Sequence, residues 1–429
     1  MTVFDLEKEA GKALTHISLQ DNLTEIPGIL YSFKDSLQFL DLSNNFLETL
    51  PNDFGVFEKL EILFISNNQL TFLPEVLSKC QSLRLIGIKS NKIKVIPENS
   101  LPKNLQWLTL ADNLIESIPK SIGNCTFLQK LILSGNKIKS VPQEILKCEN
   151  LELIRLASNE LDCFPEVLLE LPKLTWLAYS GNPFNKHSKE IVLPKIDWSD
   201  FQLLEELGNG ASGIIYKVEN SSKEQFALKV FKGGMTSDGS PLDELYHYAK
   251  VGNHPNLVSL KGEVTNFENK KKAVLFDLIP NTYSNLGNPP SLVSCSRDVM
   301  SIPHFFSFSE VLRLLKSIAS VSCLMHEKGV LHGDLYAHNI LVQKDGSCYL
   351  GDFGAACSYD KLLEDDRLEK IEVRAFGILI DDVLQVSSLD DEEKELLDNL
   401  KTDCLNIKLA SRPNFKEVLH LLDQIEKDL

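Results

Sequence analysis

The chain is poor in the features that announce several common classes of protein. No stretch of its 429 residues approaches the run of about twenty apolar positions needed to cross a bilayer. Positive charge is scarce: 44 Lys and Arg face 60 Asp and Glu, and the net charge of −16 argues against a non-specific nucleic-acid or anionic-lipid surface. None of the nine cysteines forms a Cys-x-x-Cys pair, and an odd count in a long chain points to reduced thiols. The first twenty residues carry Asp5, Glu7, Lys8 and Glu9 in place of a basic start and an apolar core, so a signal peptide is not expected. A cytoplasmic protein without a membrane span or a nucleic-acid partner is the expectation. Acidity is concentrated between Ser358 and Asp403, where fifteen acidic residues face six basic ones; recurrent Leu and Val there suit a solvated, partly helical face.

What is present begins with a repeat. With 43% hydrophobic residues, the chain holds more apolar material than one ordinary core uses. The pattern Leu37-x-x-Leu40-x-Leu42-x-x-Asn45-x-Leu47-x-x-Leu50-Pro51 returns at Leu60, Leu83, Leu105, Leu128, Leu151 and Leu174, with Asn68, Asn91, Asn113, Asn136, Asn159 and Asn182 at the same offset. The period is 23, once 22, and an earlier copy, one residue shorter, starts at Leu14 with Asn22 and ends at Ile26-Pro27, giving eight units. These units resemble leucine-rich repeats of the intracellular Leu-Pro type, which implies an α/β solenoid whose parallel sheet gains one short strand per unit. Leucines at offsets 1, 4 and 6 would point inward, and each Asn would satisfy backbone groups of adjacent turns. Cys80, Cys125 and Cys148 share one offset and read as small buried fillers.

Outward strand positions carry an apolar column. Phe39, Ile62, Leu85, Trp107, Leu153 and Trp176 stand at the third offset with His16 and Lys130, and Phe64 and Ile132 join them at the fifth. Contiguous apolar area with aromatic anchors suits a protein partner on the concave face, or the chain's own second half. Units stop after Asn182-Pro183-Phe184, and a mixed connector runs from Lys186 to Lys195. The expected division is 1–196, with repeats over 14–182, and 197–429.

In the second half, His332-Gly333-Asp334-Leu335-Tyr336-Ala337-His338-Asn339 precedes Asp352-Phe353-Gly354. Phosphoryl transfer needs a carboxylate to receive a hydroxyl proton, and an amide and a second carboxylate to hold Mg²⁺ on nucleotide phosphates. Asp334, Asn339 and Asp352 supply them in that order. Upstream, Gly208-Asn209-Gly210-Ala211-Ser212-Gly213 lies between two strand-like segments, where missing side chains let backbone N–H groups approach phosphates. A dinucleotide-binding fold would instead open a helix there. Phe226-Ala227-Leu228-Lys229-Val230 reads as a strand, and Ser240-Pro241 as the cap and first turn of a helix carrying Glu244 beside Asp243. Ser309 is the expected cap of a long apolar-periodic helix ending near Gly329.

This half resembles a protein kinase from Phe201 to the C-terminus, and bacterial and plant leucine-rich-repeat kinases with a His-Gly-Asp-Leu-Tyr loop are the most similar. The resemblance implies a two-lobed α+β domain that binds ATP and Mg²⁺ and phosphorylates protein hydroxyls, Ser/Thr ahead of Tyr. It implies that Lys229, oriented by Glu244, holds the α- and β-phosphates and that Asp334 is the base, with Asn339 and Asp352 on metal. Gly208, Asn209, Gly210, Gly213, Ile215, Ala227, Phe276, Asp277, Ile279 and Leu341 would line the nucleotide, Phe276 as gatekeeper. Glu372 to Gly377 and Ser411 to Phe415 resemble structural helices of the C-terminal lobe.

The pattern is broken in four places. Gly333 replaces the arginine that in many protein kinases receives an activation-loop phosphate, so a phosphate on Ser358 or Tyr359 would lack that partner. Tyr336 stands where Ser/Thr kinases have a lysine, and His338 where tyrosine kinases have an arginine. Only seventeen residues separate Gly354 from Glu372, without an Ala-Pro-Glu element. Finally, Pro280 to Phe306, which includes Cys295, is an insertion-like stretch rich in Pro, Asn and Ser. His-Gly-Asp-Leu also resembles aminoglycoside and choline phosphotransferases, which keeps a small-molecule kinase as an alternative, and a pseudokinase scaffold is a further one.

Overall fold

The computed structural model describes every residue except 186–191, 211–212, 234–235, 237, 269–270, 301–304, 362–365 and 429; Ala211, Ser212 and the first part of the connector thus lie outside the described residues. The chain divides into two compact units, Met1–Leu174 with Asn182–Phe184, and Thr175–Gly181 with Asn185–Leu429.

In the first unit a short helix α1 (Val3–Glu7) is closed by a capping box between Thr2 and Asp5. Strands β1 (His16–Ser18), β2 (Phe39–Asp41), β3 (Ile62–Phe64), β4 (Leu85–Gly87), β5 (Trp107–Thr109), β6 (Lys130–Ile132) and β7 (Leu153–Arg155) follow, each pairing in parallel with the next. The register is constant even across the one 22-residue step, so the missing residue lies outside the strands: Phe39 faces Ile62, and Leu85 faces Trp107. Side chains alternate across a strand, so the middle residue of each goes inward; Leu40, Leu63, Ile86, Leu108, Leu131 and Ile154 are all fully buried. Burial of each stabilises by roughly 1.5–3 kcal/mol.

Turns between strands would orphan backbone groups, and the repeated Asn prevents this. Asn68 Oδ1 accepts from Leu47 N–H at 2.8 Å, while Nδ2 donates to the Leu42 and Ile65 carbonyls at 3.0 and 3.3 Å. Asn113, Asn136 and Asn159 repeat this arrangement. Asn22 departs from the expected pattern. It is exposed and takes the left-handed turn conformation (φ 53°) that Asn44 and Asn67 occupy one place before their ladder asparagines. Asn22 stands eight residues after Leu14, as Asn45 does after Leu37, so the residue this copy lacks falls after Asn22, in the turn that it occupies. Cys80, Cys125 and Cys148 are fully buried, with thiol pKa values pushed up by burial to about 12, 11 and 12. They are fillers, as their shared offset suggests.

The second unit includes the eighth copy's strand, β8 (Trp176–Ala178). Strands β9 (Lys195–Asp197), β10 (Phe201–Asn209), β11 (Gly213–Asn220), β12 (Gln225–Phe231), β13 (Leu260–Thr265) and β14 (Ala273–Asp277) form one sheet in the order β10-β11-β12-β14-β13-β9. Val218, Leu228, Val230, Val264, Ala273 and Leu275 make a core on it, with Trp198, Phe201 and Phe226 packed alongside. Helix α2 (Pro241–Val251) begins as its sequence requires: Ser240 Oγ accepts from Leu242 N–H at 3.2 Å, and Pro241 needs no donor there.

After the two-residue strand β15 (Ser284–Asn285) comes α3 (Phe308–Glu327), buried along Val311, Leu314, Leu315 and Ile318. Its cap is Ser307, paired with Glu310 in a capping box, and not Ser309, which falls within the first turn. Two serines sit two residues apart, and only Ser307 has a Glu three residues on. Short strands β16 (Val330–Leu331), β17 (Ile340–Val342), β18 (Cys348–Leu350) and β19 (Cys357–Ser358) carry the loops discussed below, and α4 (Arg367–Leu384), α5 (Asp391–Cys404) and α6 (Phe415–Asp428) complete the unit. Among the described residues no helix is long and apolar enough to cross a membrane.

Candidate active site

Gly208 and Asn209 end β10 and Gly213 begins β11, so a strand follows the glycines. Gly210 N–H donates to Gly213 O at 3.0 Å, and Lys232 Nζ reaches Gly210 O at 2.7 Å and the Asn209 side chain. A Cβ on Gly213 would lie 2.7 Å from Val230 O, so only glycine lets β11 meet β12 there. Register then aligns the expected nucleotide-lining residues. Ile215 is opposite Gly208 on one side and Lys229 on the other, and Ala227 is opposite Phe276.

Lys229 is 8% exposed, and its Nζ lies 2.5 Å from Glu244 Oε1. Helix phase is thereby settled, since Glu244 is buried facing β12 while neighbouring Asp243 is half-buried. Burial disfavours the charge on Lys229, but Glu244 and Asp352 outweigh it and raise the pKa above the ordinary lysine value. On Glu244 burial dominates and raises the pKa to about 7, with Asp352 pushing the same way and Lys229 opposing. Phe276 is buried against Tyr248 of α2, ring centres 5.2 Å apart. Asp277, paired with Lys261 at 2.7 Å, and Ile279 are half-buried at the end of β14 and just beyond it, and Leu341 is half-buried on β17 opposite Tyr349.

The loop between β16 and β17 holds Asp334 and Asn339. Fully buried His332 anchors it, Nε2 sitting 2.9 Å from Gly351 O just before Asp352. Asn339 Nδ2 donates to Asp334 Oδ2 and to the Asp334 carbonyl, both at 2.9 Å, so the two side chains are held together across five residues. Asp352 has left-handed backbone (φ 55°), and its Oδ1 accepts from Gly354 N–H at 3.1 Å. Phe353 next to it is fully buried and stacks on Tyr248 at 3.9 Å, which ties this turn to the helix that carries Glu244. Asn339 spends its amide nitrogen on Asp334, which leaves its carbonyl oxygen and the Asp352 carboxylate as hard oxygen donors, the kind a magnesium ion takes.

Two supports were not singled out from sequence. Asp298, 8% exposed, accepts from His338 N–H through Oδ2 and pairs with His338 Nδ1 through Oδ1, both at 2.8 Å. The insertion-like stretch is therefore a strap on the loop: Asn285 Nδ2 also donates to His338 O at 2.7 Å, and Leu286 N–H to Ile340 O. Buried Glu372, noted only within a structural helix, accepts from Gly333 N–H at 2.7 Å and contacts His326 Nε2 at 2.8 Å. The apolar column needs correcting at Trp176, which is fully buried, its indole stacked on Tyr336 with ring centres 4.1 Å apart. It cannot take part in a partner-binding face, because the Trp176 ring is itself already covered within its own unit. Leu85, Leu153, Ile62 and Ile132 are also more than nine-tenths buried, while Phe39, Phe64 and Trp107 keep partial exposure.

The protein kinase domain family matches residues 201–369, and the leucine-rich repeat family matches 35–93, 81–138 and 126–184. This chain carries a protein kinase domain behind leucine-rich repeats. The chain is similar to a probable cyclin-dependent serine/threonine-protein kinase of Dictyostelium discoideum, 29% identical over 163 residues, which is 38% of this chain and 23% of that protein. It is also similar to a Wee1-like protein kinase of Arabidopsis thaliana, 25% identical over 231 residues (47% of this chain, 42% of the relative). The serine/threonine-protein kinase pakH of Dictyostelium discoideum is 26% identical over 167 residues (38% and 30%). The chain spans less than half the length of these relatives. A protein kinase domain with such relatives favours neither the small-molecule phosphotransferase nor the scaffold alternative.

Proposed function

We propose that the kinase domain transfers the γ-phosphoryl group of Mg-ATP to protein hydroxyls, Ser/Thr ahead of Tyr, in the cytoplasm. The observation that carries this reading is the coexistence of the Lys229–Glu244 pair with the Asp334–Asn339 pair in one unit. Lys229, held by Glu244, contacts the α- and β-phosphates. Asp334 accepts the proton of the attacking hydroxyl, its carboxylate aimed by Asn339. Asn339 and Asp352 hold the metal, which when bound screens the phosphate charge. Gly208, Asn209, Gly210 and Gly213 cover the phosphates, and Ile215, Ala227, Phe276, Asp277, Ile279 and Leu341 enclose the base. The test is incubation of purified chain with Mg-ATP and a generic protein substrate, read by mass spectrometry. Phosphoserine or phosphothreonine is expected; phosphorylation of an aminoglycoside or amino alcohol with proteins untouched would refute it.

The repeats supply the protein contact, through the partly exposed Phe39, Phe64 and Trp107. A Phe64→Ala, Trp107→Ala double variant is expected to bind any protein that the wild-type chain captures at least about tenfold more weakly with ATP binding unchanged. Equal capture by variant and wild type would discard this face.

A further inference from the structure

Several features of the second unit converge on one short segment. Thr175–Gly181 lies in that unit, and its side chains meet the catalytic loop and the strand after Asp352. Trp176 stacks on Tyr336 nearly parallel, 8° between ring planes, and its Nε1–H donates to Leu335 O at 3.1 Å. Tyr336 is itself 3% exposed. Three residues on, Tyr179 N–H donates to Cys357 Sγ at 3.0 Å, and its hydroxyl reaches Ser358 O at 3.4 Å, a carbonyl that Asn185 Nδ2 also bonds at 2.9 Å. Between these contacts stands Gly333, with φ 72°. A Cβ there would lie 2.5 Å from Ala355 O and 2.7 Å from Leu177 O.

Two departures from the protein kinase pattern thereby acquire one cause. No side chain fits at Gly333, because the Leu177 backbone and the chain after Gly354 close on it from two sides. An aromatic ring at position 336 is what an indole can stack on, and aromatic pairs contribute about 0.5–1.5 kcal/mol beyond their buried area. A phosphate-receiving arginine orders a catalytic loop by a charge contact made after modification. Here the same loop is held by an aromatic stack and a hydrogen bond that need no modification.

We propose that Trp176 is a positioning residue for phosphoryl transfer: with Tyr179 it braces the loop bearing Asp334 and Asn339 against the Cys357–Ser358 strand, in place of an activation-segment phosphate. This rests on the kinase reading above. Trp176 touches no reacting atom and acts through Tyr336 and Leu335.

The test uses the full chain with Trp176→Ala and Trp176→Phe, measuring kcat, KM for Mg-ATP, and hydrogen exchange. Misplacing a catalytic group by about 1 Å can cost 10²-fold, so Trp176→Ala is expected to lower kcat by about 10- to 100-fold with KM for Mg-ATP within about twofold. Trp176→Phe keeps a stacking ring and is expected to recover most of the loss. In the alanine variant, amides over 332–339 should lose protection while those of β12 and β14 keep theirs. Wild-type kcat in Trp176→Ala, or protection lost equally in β12 and β14, would overturn the proposal. If the wild-type chain transfers no phosphate the kinase reading falls alone, and the brace is judged by exchange: unchanged protection over 332–339 removes it.

Discussion

Asp334→Asn is expected to lower kcat by about 10²- to 10⁴-fold, the range a positioned general base contributes, with KM for Mg-ATP little altered. The substitution separates chemistry from architecture. An asparagine oxygen at 334 still accepts from Asn339 Nδ2, and the Asp334 carbonyl that also receives that amide is untouched. The loop should therefore keep its shape, and its anchor at His332 with it. What disappears is the ability to take a proton. Initial rates at saturating and sub-saturating Mg-ATP decide the matter: a fall confined to kcat marks an interaction made in the transition state. Activity within about threefold of wild type would remove Asp334 from the base role.

Glu372→Ala is expected to be the most damaging single change to stability, costing about 3–5 kcal/mol, as breaking a buried, hydrogen-bonded charge does. Its carboxylate receives Gly333 N–H and contacts His326 Nε2 with no solvent to replace either. An alanine would remove the carboxylate that accepts from the buried Gly333 N–H, a loss of about 1–3 kcal/mol alone, and leave a void beside it. Burial by itself would raise the Glu372 pKa, but the contacts from His326 and Gly333 N–H overcome it and hold the group below its ordinary 4.5. A depressed folded value means that the contribution is fully present above pH 4.5 and is lost as pH falls through the folded pKa. Chemical denaturation from pH 7 down to pH 3 should show a declining acid limb in wild type that Glu372→Gln flattens. An identical limb in both would assign acid sensitivity to other groups.

Much of this architecture was legible in the sequence because it is periodic or local. Leucine spacing sets which residues of each repeat face inward, since one residue of slip would turn buried leucines outward. Asp334, Asn339 and Asp352 stand out through their order and spacing, whereas Lys229 and Glu244 are suggested by the resemblance to protein kinases, with Asp243 as an equal neighbour until the helix phase is known. What escaped was held by long-range contacts. Asp298 meets His338 across forty residues, from a stretch of Pro, Asn and Ser without a period. Trp176 followed the outward alternation of its strand correctly, yet the ring covering it comes from Tyr336, far along the chain. Local pattern states which way a side chain points and is silent on what it meets. The cap of α3 falls at Ser307, two residues before the expected Ser309, and boundary assignments slip by that amount.

The asparagine ladder has a direction. Asn68 serves Leu47 N–H and the Leu42 carbonyl, groups of the turn before it, and Asn113, Asn136 and Asn159 likewise reach backward. Each turn is thus completed by the residue that follows it in synthesis. As the chain leaves the ribosome, the newest turn has unmet donors until the next copy follows. Removing copies from that end strips an asparagine of its clients, whereas removing them from the other end exposes open backbone. The two ends of the array are therefore not interchangeable, although the units themselves nearly are.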